Sequence, residues 1–379
     1  MSNRSRNHDD DFSMAHQSGP NIFVKKKTAD FVVGLFVPRN GIAGIWGPST
    51  LACAELAVEE LNEAGGIGGR RITICSVGSD DEAESMHQST LDALSYDRID
   101  AIVGMHTSSV RQIVKRAAGG LIPYVYTPLY EGGENTQGVY AIGETPDQQL
   151  RPALQFLRET YRADKWLFIG HDYLWPRRSN SLARRYLREY GAEVLGETYL
   201  PLAADSAKQD FDAIFELIAR LKPNALMISL IGQDAIDFNR EFGRRKLSRH
   251  MVRLSCATEE NMLLAIGADN TDGLFVSSSY FAALRSENNM SFKERYYTRF
   301  SERAPTLNAL GQSIYEGMYF LSALAQRAEE TTGSMLSNLS APLPFHSIRG
   351  TQYHHSGRAD NPMYLAQAQG HFFEVTHRF

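Results

Sequence analysis

The chain has 379 residues, 43% apolar, 22% charged and 10% aromatic, with a formal net charge of −5. That balance excludes global disorder, and no run of about 18 apolar residues exists to cross a bilayer. Cys53, Cys75 and Cys256 are too far apart in sequence for a disulfide framework or zinc knuckle, and the mild acidity offers nucleic acid no basic field. A chain this long is expected to form two lobes.

Residues 1–30 are polar and of mixed charge, and their longest apolar run is Ile22-Phe23-Val24. A secretory leader needs an apolar run of about 7–15 residues. The expectation is therefore a disordered tail on a cytoplasmic protein. The tail is also too short and polar for a helix-turn-helix, so direct operator binding is not expected.

From Phe31 the pattern is regular. FVVGLFV (31–37) has the β-branched and aromatic density of a buried parallel strand. A glycine-rich loop follows, then a helix capped by Ser49 with Leu51, Ala54, Val58 and Leu61 on one face, stopped by Gly65-Gly66. RITICSV (71–77), a helix at 83–95, IDAIVG (99–104), a helix at 109–118 and IPYVY (122–126) complete the first set. The alternation restarts with a helix over 147–161, WLFIG (166–170), a helix at 176–190 and EVLGETYLP (193–201). A helix at 208–221, NALMISL (224–230), a helix at 233–243 and a strand near 252–256 follow. GLFVSSSYF (273–281) and a helix at 308–327 resemble the first set again, and the stretch from Phe345 to Phe379 ends like a β-hairpin. The fold class is α/β, two doubly wound lobes with a cleft between them. The expected division is 31–143 with 274–332 as one lobe and 144–273 with 333–379 as the other.

Several patterns invite a function and are better read as structure. Gly65-Gly66-Ile67-Gly68-Gly69 follows a helix and precedes a strand, the reverse of a dinucleotide fingerprint, so it is a C-cap and turn. There is no P-loop and no G-x-S-x-G elbow. His346, His354, His355, His371 and His377 gather near the C-terminus, but adjacent residues of a strand point to opposite faces, and no metal or other cofactor is expected. Arg244, Arg245, Lys246, Arg249 and Arg253 read as a solvated helix end.

The chemistry gathers where strands end, which is where open α/β sheets bind ligands. Met105-His106-Thr107-Ser108-Ser109, Thr127-Pro128-Leu129-Tyr130-Glu131 and His171-Asp172-Tyr173-Leu174-Trp175 each follow a strand. They bring hydroxyls and aromatics with few charges, suited to a small polar ligand between aromatic walls. At the presumed site Ser108 with His106 is the only neighbouring nucleophile–base pair, and no third orienting group is evident, so catalysis is not expected.

NEAGGIGGR (62–70), AIVGMHTSS (101–109), YTPLYEGGEN (126–135) and FIGHDYLWPRRSN (168–180), in that order and spacing, resemble the periplasmic-binding-protein type I superfamily. The likeness is to its amide, urea and branched-chain amino acid branch, and most of all to cytosolic amide-binding regulators of aliphatic amidase operons. It implies two lobes joined by three crossovers and closing over a ligand like a clamp. It also implies that Ser108 hydrogen-bonds the ligand, that Tyr126, Thr127 and Pro128 form a wall, and that Tyr173 covers the ligand on closure. Gly232, Gln233 and Thr258 take lining positions, while His106 and Trp175 stand where these sensors carry other aromatics. The expected function is a non-catalytic sensor of a short-chain amide, urea or nitrile-derived ligand, acting through a regulatory protein partner. A homo-oligomer fits this reading, and neither membrane insertion nor direct nucleic-acid binding is expected. The alternative is a receptor delivering urea, amides or branched-chain amino acids to an ABC transporter. An amino acid's ammonium would then meet Glu259, Asp234 or Glu131.

Overall fold

Alternation of strand and helix governs the computed structural model, which describes residues 30–79, 83–202, 210–330, 342–354 and 358–379. The expected disordered tail lies outside them apart from Asp30. The chain begins β1 (Phe31–Val37), α1 (Gly47–Glu63), β2 (Ile72–Gly78), α2 (Ala83–Ser95), β3 (Ala101–Gly104), α3 (Ser108–Ala118), β4 (Tyr124–Tyr126) and β5 (Val139–Ala141). These strands form a parallel sheet in the order β2-β1-β3-β4-β5. Its central strands are buried on both faces, which is why they read as unbroken apolar runs. Helix ends follow local chemistry. Thr107 caps α3 by accepting from Val110 N at 3.4 Å, and Gly119, at φ +56°, ends it in the left-handed region. Ser49 was expected to cap α1, but the helix starts at Gly47 with Pro48 in its first turn. Ser49 instead donates back to Trp46 O, already inside the helix.

The second set runs α4 (Pro146–Tyr161), β6 (Lys165–His171), α5 (Leu174–Glu189), β7 (Glu193–Leu200), α6 (Asp212–Leu221), β8 (Ala225–Ser229), α7 (Gly232–Arg244), β9 (Val252–Ser255), α8 (Glu260–Ile266) and β10 (Leu274–Ser278). After α9 (Glu287–Phe300) and α10 (Ala309–Glu330) come β11 (Gln352–His354), β12 (Arg358–Asp360), β13 (Tyr364–Gln369) and β14 (Phe372–Arg378). The second sheet is ordered β14-β13-β10-β9-β8-β6-β7, parallel from β10 to β7, with β13 and β14 an antiparallel hairpin on one edge.

Two stretches sit elsewhere than the expected division. β10 pairs in parallel with β9 and antiparallel with β13, so residues 274–278 belong to the second lobe. The return to the first lobe falls after Ser278, and α10 then packs along α1 so closely that a Cβ on Gly311 would lie 2.9 Å from Ser49 O. Tyr353, expected in the second lobe, packs its ring on Tyr140 and Phe320 of the first.

Three connections cross between the lobes, and buried charge ties them together. Glu144, on the first, accepts from Ser279 N at 3.2 Å and Ser279 Oγ at 2.9 Å on the second. Arg349, on the third, donates to Ser279 Oγ at 2.8 Å and pairs with Glu144 at 3.4 Å and with Glu316 of α10 at 2.9 Å. Burial alone pushes the Glu316 carboxyl up. The Arg349 charge and hydrogen bonds from Arg349, Gln312 and Ser347 nonetheless hold it below the usual range.

Candidate functional site

Counted from its own first strand, each parallel array has the same order: second, first, third, fourth, fifth. Strand order therefore reverses between β1 and β3 in one lobe and between β6 and β8 in the other. Crevices open beyond the strand ends at such points, and here the two crevices face each other. Trp46 and His106 enter from the first lobe, Tyr173 and Ile231 from the second, and the space between them is about 370 Å³ including its mouth.

Its walls are mainly apolar and aromatic: Trp46, Met105, Tyr126, Leu129, Tyr173 and Trp175, with Ile231, Ala257 and Leu310 closing the gaps. Tyr173 and Trp175 are a tilted ring pair at 6.3 Å. Polar atoms come from the α3 end, through His106, Thr107 and Ser108. No lysine, arginine or carboxylate lines this cavity among the described residues.

Hydrogen bonds decide what those groups offer. Ser108 Oγ donates to Glu131 Oε2 at 2.5 Å, and Arg111 Nη2 donates to the other Glu131 oxygen at 2.5 Å. Tyr126 Oη donates to His106 O at 2.6 Å. His106 Nδ1 lies 3.2 Å from Thr107 O, which only accepts, so Nδ1 carries the proton and Nε2 accepts from Tyr124 Oη at 2.9 Å. Burial pushes His106 down to about 3, with the Arg111 charge adding to it, against the backbone hydrogen bond to Thr107. The imidazole is neutral. Ser108 does not bond to His106, so the one candidate nucleophile–base pair is not formed. Trp175 Nε1 is buried with no hydrogen-bond partner among the described residues.

Six of the ten expected site residues line this cavity: His106, Ser108, Tyr126, Pro128, Tyr173 and Trp175. Thr127 and Thr258 line a second compartment on the hinge side, which also takes in Glu144, Glu259 and Arg349 and shares Pro128, Leu129 and Leu310 with the first. Gly232 and Gln233 line neither. Gln233 is exposed and donates to Asp237 along α7. Gly232 has φ +55° and lies against Ile42, where a Cβ would come within 1.6 Å of the carbonyl oxygen. Of the three carboxylates considered for an ammonium, Asp234 is taken by His171 at 2.9 Å and Glu131 by Ser108 and Arg111. Glu259 accepts from Trp46 Nε1 at 2.9 Å. Trp46, Ile231, Ala257 and Leu310 went unnoticed in the sequence, while Met105, Thr107 and Leu129 stood only inside the strand-end segments. Only Trp46, a tryptophan in the loop just past a strand's carboxyl end, carried a usable signal. Among the described residues no group of three or more histidine, cysteine or acidic side chains could hold a metal, and no helix is long and apolar enough to cross a membrane.

The loop after β1 bridges the lobes. Ile42 O accepts from Gln233 N at 3.3 Å, Ile45 O from Asn261 Nδ2 at 2.9 Å, and Trp46 reaches Glu259. Two α/β lobes, three crossovers and an aromatic cavity between facing strand ends make a two-lobed architecture with a central cleft of small-molecule size. Residues 31–371 match the family model described as periplasmic binding protein, and the chain belongs to that family, type I.

Among curated relatives, Leu/Ile/Val-binding protein homolog 1 of Brucella abortus (strain 2308) is 27% identical over 203 residues, 51% of this chain and 51% of that protein. The chain thus spans about half the length of the curated relatives it matches. Solved structures agree on the fold. An ABC-transporter solute-binding protein from R. palustris in complex with benzoate superimposes with a TM-score of 0.77 at 18% identity, covering 92% of this chain and 96% of that one. A periplasmic binding protein from Burkholderia mallei gives 0.79 at 16% identity, covering 92% and 94%. The branched-chain amino acid binding protein LivJ from Streptococcus pneumoniae, in complex with isoleucine, gives 0.73 at 16% identity, covering 92% and 99%.

Proposed function

We propose that this chain is the substrate-binding component of a transport system and takes a small, uncharged, amide- or urea-type ligand. The named relatives support the transport role over the regulatory one, since they include a Leu/Ile/Val-binding protein homolog and a solute-binding protein of an ABC transporter. The regulatory reading leaned on the absence of an apolar leader, and nothing about location follows from where this chain begins.

The observation that carries the ligand class is a cavity walled by rings, Trp175 among them, without a charged side chain among the described residues, and the buried Trp175 indole N–H has no partner among those residues. A ligand carbonyl supplies the missing acceptor for Trp175 Nε1, and its flanking apolar group fits between Tyr173, Tyr126 and Trp46. A leucine zwitterion would bring two charges into a space without a counter-ion, a costly desolvation. A ligand touching both lobes favours the closed arrangement by its differential contacts. Calorimetric titration with acetamide, urea, leucine and benzoate tests the ligand class: heat is expected with acetamide or urea and none with leucine. Tight leucine binding without an amide response overturns it. Uptake of labelled amide by cells with and without the gene tests the transport role.

A further inference from the structure

We infer that Glu131, which does not line the cavity, decides which ligand head group is accepted, by setting the direction of the Ser108 hydrogen bond. This rests on the amide-type reading above and names the residue behind it.

Ser108 is the first residue of α3 and lines the cleft, and a hydroxyl serves as a donor, an acceptor or both. Glu131 removes that freedom. A carboxylate only accepts, so the 2.5 Å contact holds the Ser108 proton on the Glu131 side and leaves Oγ lone pairs for the ligand. Glu131 is itself held, because Arg111, 1% exposed, donates to its other oxygen and lies over the rings of Tyr126 and Tyr130. Tyr126 spends its proton on His106 O in the same way. Two hydroxyls beside the cavity have therefore placed their own protons inside the protein, and the Trp175 Nε1 proton has no partner among the described residues. A primary amide or urea complements this pattern, its NH2 donating to Ser108 and Tyr126 and its carbonyl accepting from the indole. A carboxylate of the same shape sets its lone pairs against theirs, and its charge lies one hydrogen bond from Glu131.

Glu131→Gln inverts the pattern without changing shape. Arg111 can only donate, so it keeps the carbonyl oxygen of the new side-chain amide and turns the amide NH2 toward Ser108 Oγ. Ser108 then accepts from that NH2 and its own proton is free for a ligand. The test compares dissociation constants for two isosteric pairs, propionamide with propionate and benzamide with benzoate, in wild type, E131Q, S108A and the double variant. Wild type is expected to prefer each amide, and E131Q to move the amide-to-acid ratio at least tenfold toward the acid. In the S108A background, Glu131→Gln should no longer move that ratio. A change of fold alone would weaken both members of a pair together and leave the ratio where it was.

A folded E131Q with the wild-type ratio overturns the role of Glu131 and leaves the receptor reading intact. So does a shift of equal size without Ser108. Wild type that prefers the acids overturns the inference together with the amide-type ligand, though not the transport role. Wild type that binds neither member of either pair overturns the inference and the amide class together.

Discussion

Trp46 and Glu259 meet across the cleft, the indole Nε1 of one lobe donating to the carboxyl Oε2 of the other at 2.9 Å. Burial pushes the Glu259 carboxyl from 4.5 up to about 8, against the hydrogen bond from Trp46. The folded protein therefore keeps a proton that the unfolded chain has released across that window. The contribution of Glu259 to stability is full below about pH 4.5 and falls as pH rises toward 8, by up to about 1.4 kcal/mol per pH unit. Glu260, raised to about 7 by burial, acts in the same direction. Above pH 6.5, where the buried neutral His106 no longer opposes it, the melting temperature is expected to fall toward pH 8 and to fall less steeply in E259Q, as measured by calorimetry.

Gly232 is where α7 touches the loop after β1. Its φ of +55° disfavours any side chain, and a Cβ would meet Ile42 O at 1.6 Å. Because Ile42 belongs to the other lobe, opening the cleft relieves the clash. G232A is expected to weaken ligand binding tenfold or more, while the melting temperature without ligand changes little. Titration calorimetry and small-angle scattering with and without ligand check both parts.

Trp175→Phe keeps a ring in the wall and removes a buried donor that has no partner among the described residues. Leaving such a group unsatisfied costs about 1–3 kcal/mol, so unfolding in urea should show unchanged or slightly higher stability. Amide affinity should drop about fivefold, near 1 kcal/mol, because the ligand carbonyl loses its donor.

Arg349 neutralises Glu144 and Glu316 where the crossovers meet, with its side chain 2% exposed. R349M leaves two buried carboxylates without their cation. Removing one partner of a buried pair typically costs about 3–5 kcal/mol. Denaturant melts should show a loss of that order, larger than for either acidic partner changed to Gln, since each of those leaves the arginine paired.

The fold was legible wherever the pattern is local. The runs that form β1, β3, β6 and β8, and the caps and glycines between them, declare themselves within about seven residues. β5 is only three residues long and completes the sheet by pairing with β4, a signal no single stretch carries. The site was legible to the level of loops. Strand-end reasoning found the segments of Ser108, Tyr126 and Tyr173, yet the family resemblance also selected Gln233, which helical rotation turns outward, and neither picked out Trp46 in the glycine-rich loop after β1.

By itself, the sequence determined that this is an α/β protein of two lobes with hydroxyls and rings at its strand ends, because those features depend on neighbours a few positions apart. The tertiary structure decided the rest. It placed β10 in the second sheet, since strand pairing is settled by partners such as Leu365 and Arg253, far away in the chain. It also decided what each polar group at the site can offer. Ser108 accepts because Glu131, 23 positions on, takes its proton, and the cleft is bridged because Trp46 finds Glu259 213 positions away. Hydrogen-bond direction and burial are properties of what surrounds a side chain, and only folding assembles those surroundings.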